Sequence, residues 1–355
     1  MTKRERLLRA ITFGSPDVIP INHSSLQIAL IEHGQKLIDV LRKYPDDFPV
    51  NPNPAPPKRK TEYYRPDGSY YQEITDEWGC TWVYYQEGIL GEVKRFPLAD
   101  WANLKSYRLP APLGVTEQDK AAVRKDGLGV EYLMRAGSPF SLFERMQWLH
   151  GTEDLLCDIA EDRPEVYALA DRIMSEYLLP SITNLFRSGL PIDMICFGDD
   201  WGSQNSLLIN PETWRKIFKP RYKILFDACR KGGALVLLHS DGATLEIVPD
   251  LIEIGVNCFN PQFSCLDLLE LKQRCGESLS IWSDIDRQHL IPRGTPAEIE
   301  AYVRNVYEIF GSPKGGLIWR GWIESGVPIE NIEALLAAFY KYRTFEVTHE
   351  PSNRP

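Results

Sequence analysis

No run of about 18 consecutive apolar residues occurs in the chain, which excludes a conventional transmembrane helix. No long basic run occurs either. With 40 basic against 49 acidic residues the formal net charge is -9, which argues against an electrostatic grip on nucleic acid or on an anionic membrane. The seven cysteines (Cys80, Cys157, Cys196, Cys229, Cys258, Cys265 and Cys275) contain no C-x-x-C pair and no tight cluster. In a chain this long they read as reduced thiols, mostly small core residues. A glycine-rich phosphate loop and a G-x-S-x-G nucleophile elbow are also absent. The opening MTKRERLLRAITF is basic but holds no continuous apolar segment. No signal peptide is therefore expected, and the cytoplasm is the expected compartment.

What is present is a globular composition, 43% apolar and 25% charged, with enough chain for a large core. Leu7, Leu8 and Ile11 at helical spacing predict a short amphipathic helix over 3–13. Residues 49–57, PVNPNPAPP, carry five prolines and fit neither helix nor central strand. The stretch Tyr63–Lys94 is rich in Tyr, Trp, Thr and Val and broken at Asp67-Gly68, the pattern of a β-hairpin or small antiparallel excursion. From about Gly129 the pattern becomes regular. The apolar runs VEYLM (130–134), DMICF (193–197), ALVLL (234–238), VNCFN (256–260), LSIWS (279–283) and GLIWR (316–320) alternate with helical segments such as 164–187, 211–231 and 296–309. Such alternation predicts a parallel sheet covered on both faces, and six units with further strands before them favour a closed barrel over a doubly wound open sheet. On this reading the chain comprises an N-terminal segment 1–128 packed on the barrel and supplying its first strand, a barrel body 129–343, and a flexible tail 344–355.

In parallel α/β folds chemistry collects where strands end and loops begin. Here those ends are polar. DMICF leads into Asp199-Asp200-Trp201 and Gln204, ALVLL into His239-Ser240-Asp241-Gly242, and VNCFN into Pro261-Gln262. LSIWS leads into Asp284-Ile285-Asp286, and GLIWR into Gly321-Trp322-Ile323-Glu324. His239 reads either as a hydrogen-bonded strand-end histidine or as a chemical group, and Asp241-Gly242 as a helix cap and turn or as a pocket carboxylate. Asp199 and Asp200 are adjacent, so in an extended segment one faces the pocket and the other caps or pairs. Asp284 and Asp286 are two apart and suit either turn chemistry or a shared face. Core filling explains Trp201 and Trp322 as well as substrate stacking does.

The blocks FGDDWGSQNSLLINPETWRKIFKPRYKILFDACRKGG, LLHSDG, DLIEIGVNCFNPQ, SDIDRQHLIPRGTPAEI and GGLIWRGWIESGVPIENI occur in this order. Together with MTKRERLLRAI, TDEWGCTW and PFSLFERMQWLHGTEDLL they resemble the uroporphyrinogen decarboxylase superfamily over nearly the whole chain. The resemblance implies a (β/α)8 TIM-type barrel, here with an N-terminal helical and β-hairpin extension. True decarboxylases of that superfamily grip a polycarboxylate tetrapyrrole with N-terminal arginines. The matching segment PINHSSLQIALIEHG (20–34) has none, and a substrate with many carboxylates needs fixed cations. The other branch holds methyltransferases, some of which bind zinc through His-x-Cys and a later Cys. In this chain the pair reads His239-Ser240-Asp241, and the late position falls near Gly321.

The resulting expectation is a methyltransferase-like enzyme that moves a methyl group from a small O- or N-methyl compound to a corrinoid (cobalamin) carrier protein. Zinc on His239, Asp241 and Glu324 would activate the leaving group, with Asp199, Asp200 or Glu144 as other candidates for the third ligand. The metal-free alternative makes His239 and Asp241 an acid and its orienting carboxylate. Catalytic candidates are His239, Asp241, Asp199 and Glu324. Substrate-binding candidates are Gln204, Trp201, Asn260, Gln262, Asp286 and Arg320. The aromatic excursion over 63–85 reads as packing over the barrel end, a homodimer contact or a carrier-docking face. Two rival readings stay open. One is a decarboxylase of a tetrapyrrole or a small acid, needing cations at Arg135, Arg287 or Arg320, and the other is a non-catalytic ligand-binding barrel.

Overall fold

The computed structural model describes residues 1–49 and 57–345. Its strands are β1 (Ile21–Ser25), β2 (Gln72–Thr75), β3 (Thr81–Tyr84), β4 (Glu92–Arg95), β5 (Arg135–Phe140), β6 (Met194–Gly198), β7 (Leu235–Ser240), β8 (Cys258–Pro261), β9 (Ser280–Trp282) and β10 (Leu317–Ile323). Seven of them are parallel, paired in the order β1-β10-β9-β8-β7-β6-β5, and curl into a TIM-type half-barrel surrounded by helices. The remaining three form the antiparallel sheet β2-β3-β4.

Alternation along each strand builds two cores. Met194, Cys196, Leu237, Cys258, Trp282 and Ile318 point inward and meet Leu133 and Phe48 on the barrel floor. Leu7, Ala10 and Ile11 of the helix Lys3–Ile11 join the same cluster and plug the amino-terminal end. That plug is tied down by Arg4, whose Nη2 lies 2.7 Å from Asp193 Oδ1 at the foot of β6. The outward residues, among them Ile195, Phe197, Val236, Phe259 and Trp319, pack under the helices.

The free edge of β1 is covered by the segment 45–49 instead of a regular strand. Asp47 donates its N–H to the Ile21 carbonyl at 2.9 Å. The Ile21 N–H is in turn accepted by Asp47 Oδ2 at 2.8 Å, and the His23 N–H by Asp46 Oδ2 at 2.9 Å. Carboxylates thus do here what backbone carbonyls do in a ladder. Pro45 and Pro49 bracket the segment, and proline cannot donate to a ladder.

The run 130–134 precedes β5 instead of forming it: Val130 is exposed, and Leu133 turns into the floor. The excursion packs inward, as one reading of its aromatics required. Trp82 meets Trp148 at 5.2 Å and Trp78 meets Tyr177 at 4.6 Å, while Tyr85 is exposed. Residues 50–56 of the proline-rich stretch and 346–355 of the tail lie outside the described residues. No helix among the described residues is long and apolar enough to cross a membrane.

Candidate active site at the carboxyl ends of the strands

A cavity of about 580 Å³ opens at the carboxyl ends of the barrel strands, lined by Arg135, His239, Asp241, Asn260, Trp282, Arg287, Arg320, Trp322 and Glu324 with other, smaller contributors. His239 closes β7. Its Nδ1 donates to the backbone carbonyl of Asn260 in neighbouring β8 at 3.0 Å, which leaves Nε2 with its lone pair free. Nε2 lies 3.5 Å from Asp241 Oδ1 and 3.8 Å from Asp200 Oδ1. Asp200, His239 and Asp241 each bring one ligand atom within 4.8 Å of the others, the metal-ligand group found among the described residues. Asp241 Oδ1 is buried without a hydrogen-bond partner. An orphaned carboxylate oxygen beside a bare imidazole nitrogen fits a borderline cation such as zinc, which accepts N and O donors.

Two glycines fix this arrangement. Gly202 follows β6 and Gly242 follows β7, and a Cβ on Gly242 would fall 2.2 Å from the Gly202 carbonyl. Gly242 also sits at φ +82°, open to glycine at no steric cost. The close approach lets the Gly202 N–H reach the Asp241 carbonyl at 3.2 Å and the Ala243 N–H reach the Ser203 carbonyl at 2.8 Å. Asp200 Oδ1 meanwhile accepts the Asp241 N–H at 2.8 Å. Gln262, which the sequence placed on substrate, accepts the Gly242 N–H at 2.9 Å instead and pins the same loop.

Arg287 ties the acids of the mouth together. Its guanidinium pairs with Asp241 Oδ2, with Asp284 Oδ1 at 3.1 Å and with Glu324 Oε1 at 3.5 Å. Burial works against its charge, but Asp284, Asp241 and Glu324 outweigh it and raise its pKa. Burial pushes the Asp284 carboxyl above its ordinary range despite Arg287 and Arg320. Burial also lowers Arg320 to about 10, with Arg287 and Arg135 adding like-charge repulsion. Asp200 is raised by burial first and by Asp241, against the pull of His239.

Several candidates have other tasks. Asp199 is fully buried and accepts the Leu142 and Glu144 N–H groups at 2.9 and 2.7 Å, anchoring the start of the helix Phe143–His150. The adjacent pair thus divides as alternation requires, with Asp200 at the site and Asp199 capping. Glu324 lines the cavity, but it accepts the Trp322 indole N–H at 3.0 Å and pairs with Arg287, so the third member of the group beside His239 and Asp241 is Asp200. Trp201 is core, stacked on Phe143 at 4.5 Å. Gln204 is exposed and accepts the Cys265 thiol. Asp286 accepts the Gln288 and His289 N–H groups at 2.9 Å, which is turn chemistry. Asn260 and Arg320 do line the cavity.

Gly321 is the position near which the resemblance places the family's late cysteine. A Cβ there would meet Phe339, Leu335 and Leu336 at 3.4–3.6 Å, so the position faces the outer helix Ile329–Lys341. Its neighbours Arg320 and Trp322 face the cavity. A residue at 321 could not reach a ligand at His239. The sequence offered Glu144 only as a possible third ligand. Its carboxyl is pushed up to about 9, chiefly by burial, then by Asp199, Asp200 and Asp241.

A methyltransferase from Methanosarcina mazei superposes with a TM-score of 0.68 at 15% identity, covering 96% of this chain and 99% of that one. At that identity the likeness concerns the fold. The methylated-thiol–coenzyme M methyltransferase of Methanosarcina mazei is 26% identical over 140 residues, 38% of this chain and 35% of that protein. The match therefore spans about a third of that relative's length. The family profile described as uroporphyrinogen decarboxylase matches residues 75–342, well over half of the sequence. The chain belongs to the uroporphyrinogen decarboxylase family.

Proposed function

We propose that the protein is a methyltransferase of this family, taking a methyl group from a small O- or N-methyl compound to a corrinoid carrier. The observation that carries this reading is the convergence of His239 Nε2, Asp241 and Asp200 at the cavity mouth, with Asp241 Oδ1 orphaned. The names of the relatives point the same way. When bound, zinc would supply Lewis-acid polarisation of the donor heteroatom as its bond to the methyl carbon breaks. The chain's own residues do the rest. Asn260 fixes the imidazole tautomer, Arg287 holds Asp241 by its other oxygen, and the two glycines hold Asp200 against Asp241. Such supports behind a ligand orient it and tune its basicity. Three protein ligands with a position left for substrate is the pattern of a reactive site, not of a closed structural one.

Metal content of purified protein, wild type against His239→Ala, tests this reading. About one zinc per chain that is lost in the variant, together with methyl transfer from methyl ethers or methylamines to free cobalamin followed by its visible spectrum, is the expected result. No metal in either protein and turnover unchanged by His239→Ala would overturn it. One observation favours a second reading. Arg135, Arg287 and Arg320 all line the cavity, as a decarboxylase of a small acid requires, and carbon dioxide release from such acids distinguishes it.

A further inference from the structure

The three cavity arginines are not equivalent. Arg287 is neutralised by three carboxylates and Arg320 shares Asp284 with it at 3.5 Å. Arg135 has no ion pair and no side-chain hydrogen bond among the described residues. Its guanidinium is held by aromatic faces alone, 5.1 Å from the Phe48 ring centre and 5.4 Å from that of Trp282. Cation–π contact positions a guanidinium without satisfying its N–H groups, and those edges remain available for a planar two-oxygen partner.

Its level in the barrel matters as well. In the pairing with β6, Arg135 stands opposite Met194 and His239 opposite Gly198. Four residues of parallel strand span about 13 Å, so the backbone of Arg135 starts that far below the level of His239 while both line the same cavity. The cavity lining beside them carries the apolar faces of Trp282 and Trp322. A neutral ligand closing over Arg135 would strip water from an unpaired charge, which disfavours binding. An anion would replace that water with a charge-assisted, two-pronged contact.

We propose that the substrate of this cavity carries a carboxylate, and that the solvent-exposed Arg135 receives it at the end flanked by Phe48 and Trp282 while the reacting heteroatom stands at His239. This rests on the reading of the cavity as the substrate site but not on methyl transfer itself. The donor is then an anionic, methylated compound with an apolar body between its two ends, and Arg135 is a specificity-determining residue.

Calorimetric titration of benzoate, phenylacetate and 3-phenylpropionate against their amides tests the assignment without turnover. At least one acid should bind wild type tenfold or more tighter than its amide. Arg135→Gln should erase that preference while leaving amide binding within about twofold, and Arg135→Lys should restore part of it. His239→Ala should leave acid binding within about twofold. Equal binding of acid and amide, no binding by any acid, or loss in His239→Ala but not in Arg135→Gln would each overturn the assignment, the last by placing the carboxylate at the metal-ligand group. Inorganic phosphate competing as well as the best acid would also overturn it, by making Arg135 a general anion site. Failure of methyl transfer with intact acid selectivity would remove the reaction and leave this inference standing.

Discussion

The Nδ1–H of His239 is donated to the main-chain carbonyl of Asn260 at 3.0 Å, and this one bond decides which ring nitrogen faces Asp241 and Asp200. A neutral imidazole has one donor and one acceptor nitrogen, so a carbonyl on Nδ1 makes Nε2 the acceptor. Protein labelled with 15N-histidine and stripped of metal should show, for the signal absent in His239→Ala, an unprotonated Nε2 and a protonated Nδ1. Adding zinc should move the Nε2 resonance and leave Nδ1 nearly in place. The opposite tautomer would remove His239 Nε2 as a ligand.

The contact between Gly202 and Gly242 should be felt in affinity before it is felt in fold. Ala at 242 meets both a strained φ and backbone 2.2 Å away, and the relief available is movement of the loop that carries Asp241. Gly242→Ala is expected to weaken zinc binding at least tenfold, about 1.4 kcal/mol, with far-ultraviolet circular dichroism unchanged. Metal affinity equal to wild type would show that the two loops do not set the ligand geometry.

Glu144 sets a pH dependence of stability. Its carboxyl stands near 9 in the folded chain against an ordinary 4.5, with burial the largest cause. The folded state therefore binds a proton that the unfolded state has released, and stability falls as pH rises between those two values. In chelator, the melting temperature of Glu144→Gln should match wild type near pH 5 and exceed it increasingly towards pH 8.5. A constant offset across that range would mean that Glu144 titrates normally.

The barrel was legible because its apolar runs are continuous. β6 to β10 fall within two residues of DMICF, ALVLL, VNCFN, LSIWS and GLIWR at nearly every boundary. The covering of β1 was not legible, because Asp46 and Asp47 pair through side chains and carry no strand signature. At the site, His239, Asp241, Asn260 and Arg320 were readable as polar residues on strand ends. What the sequence could not assign was direction. Asp199 and Asp200, or Gly321 and its two neighbours, are adjacent in the chain but face opposite ways. Only the register with neighbouring strands decides which member meets the cavity. Arg135 was named as a cation but not as an unpaired one, since freedom from an acid is a property of the packed mouth.

Arg287 separates structural from chemical roles at the same centre. It is 12% exposed and Asp284 is 3% exposed, and the two stand 3.1 Å apart. Removing one partner of a buried pair costs about 3–5 kcal/mol, because the remaining charge is left uncompensated. Arg287→Met should therefore lower the denaturation midpoint strongly at pH 7.5. The Asp284 carboxyl is already raised in the folded chain by burial, and loss of Arg287 raises it further. A carboxyl raised in the folded state costs stability that grows as pH climbs from its unfolded to its folded pKa, so the cost fades as pH falls back through that window. The deficit of Arg287→Met should accordingly shrink as pH falls towards 5. Zinc binding in the same variant should weaken by about tenfold but persist, since Arg287 orients Asp241 by its other oxygen while Asp241 keeps the oxygen that faces His239. A deficit independent of pH would mean that Arg287 acts by packing alone, whereas loss of zinc would make its grip on Asp241 essential to the ligand geometry.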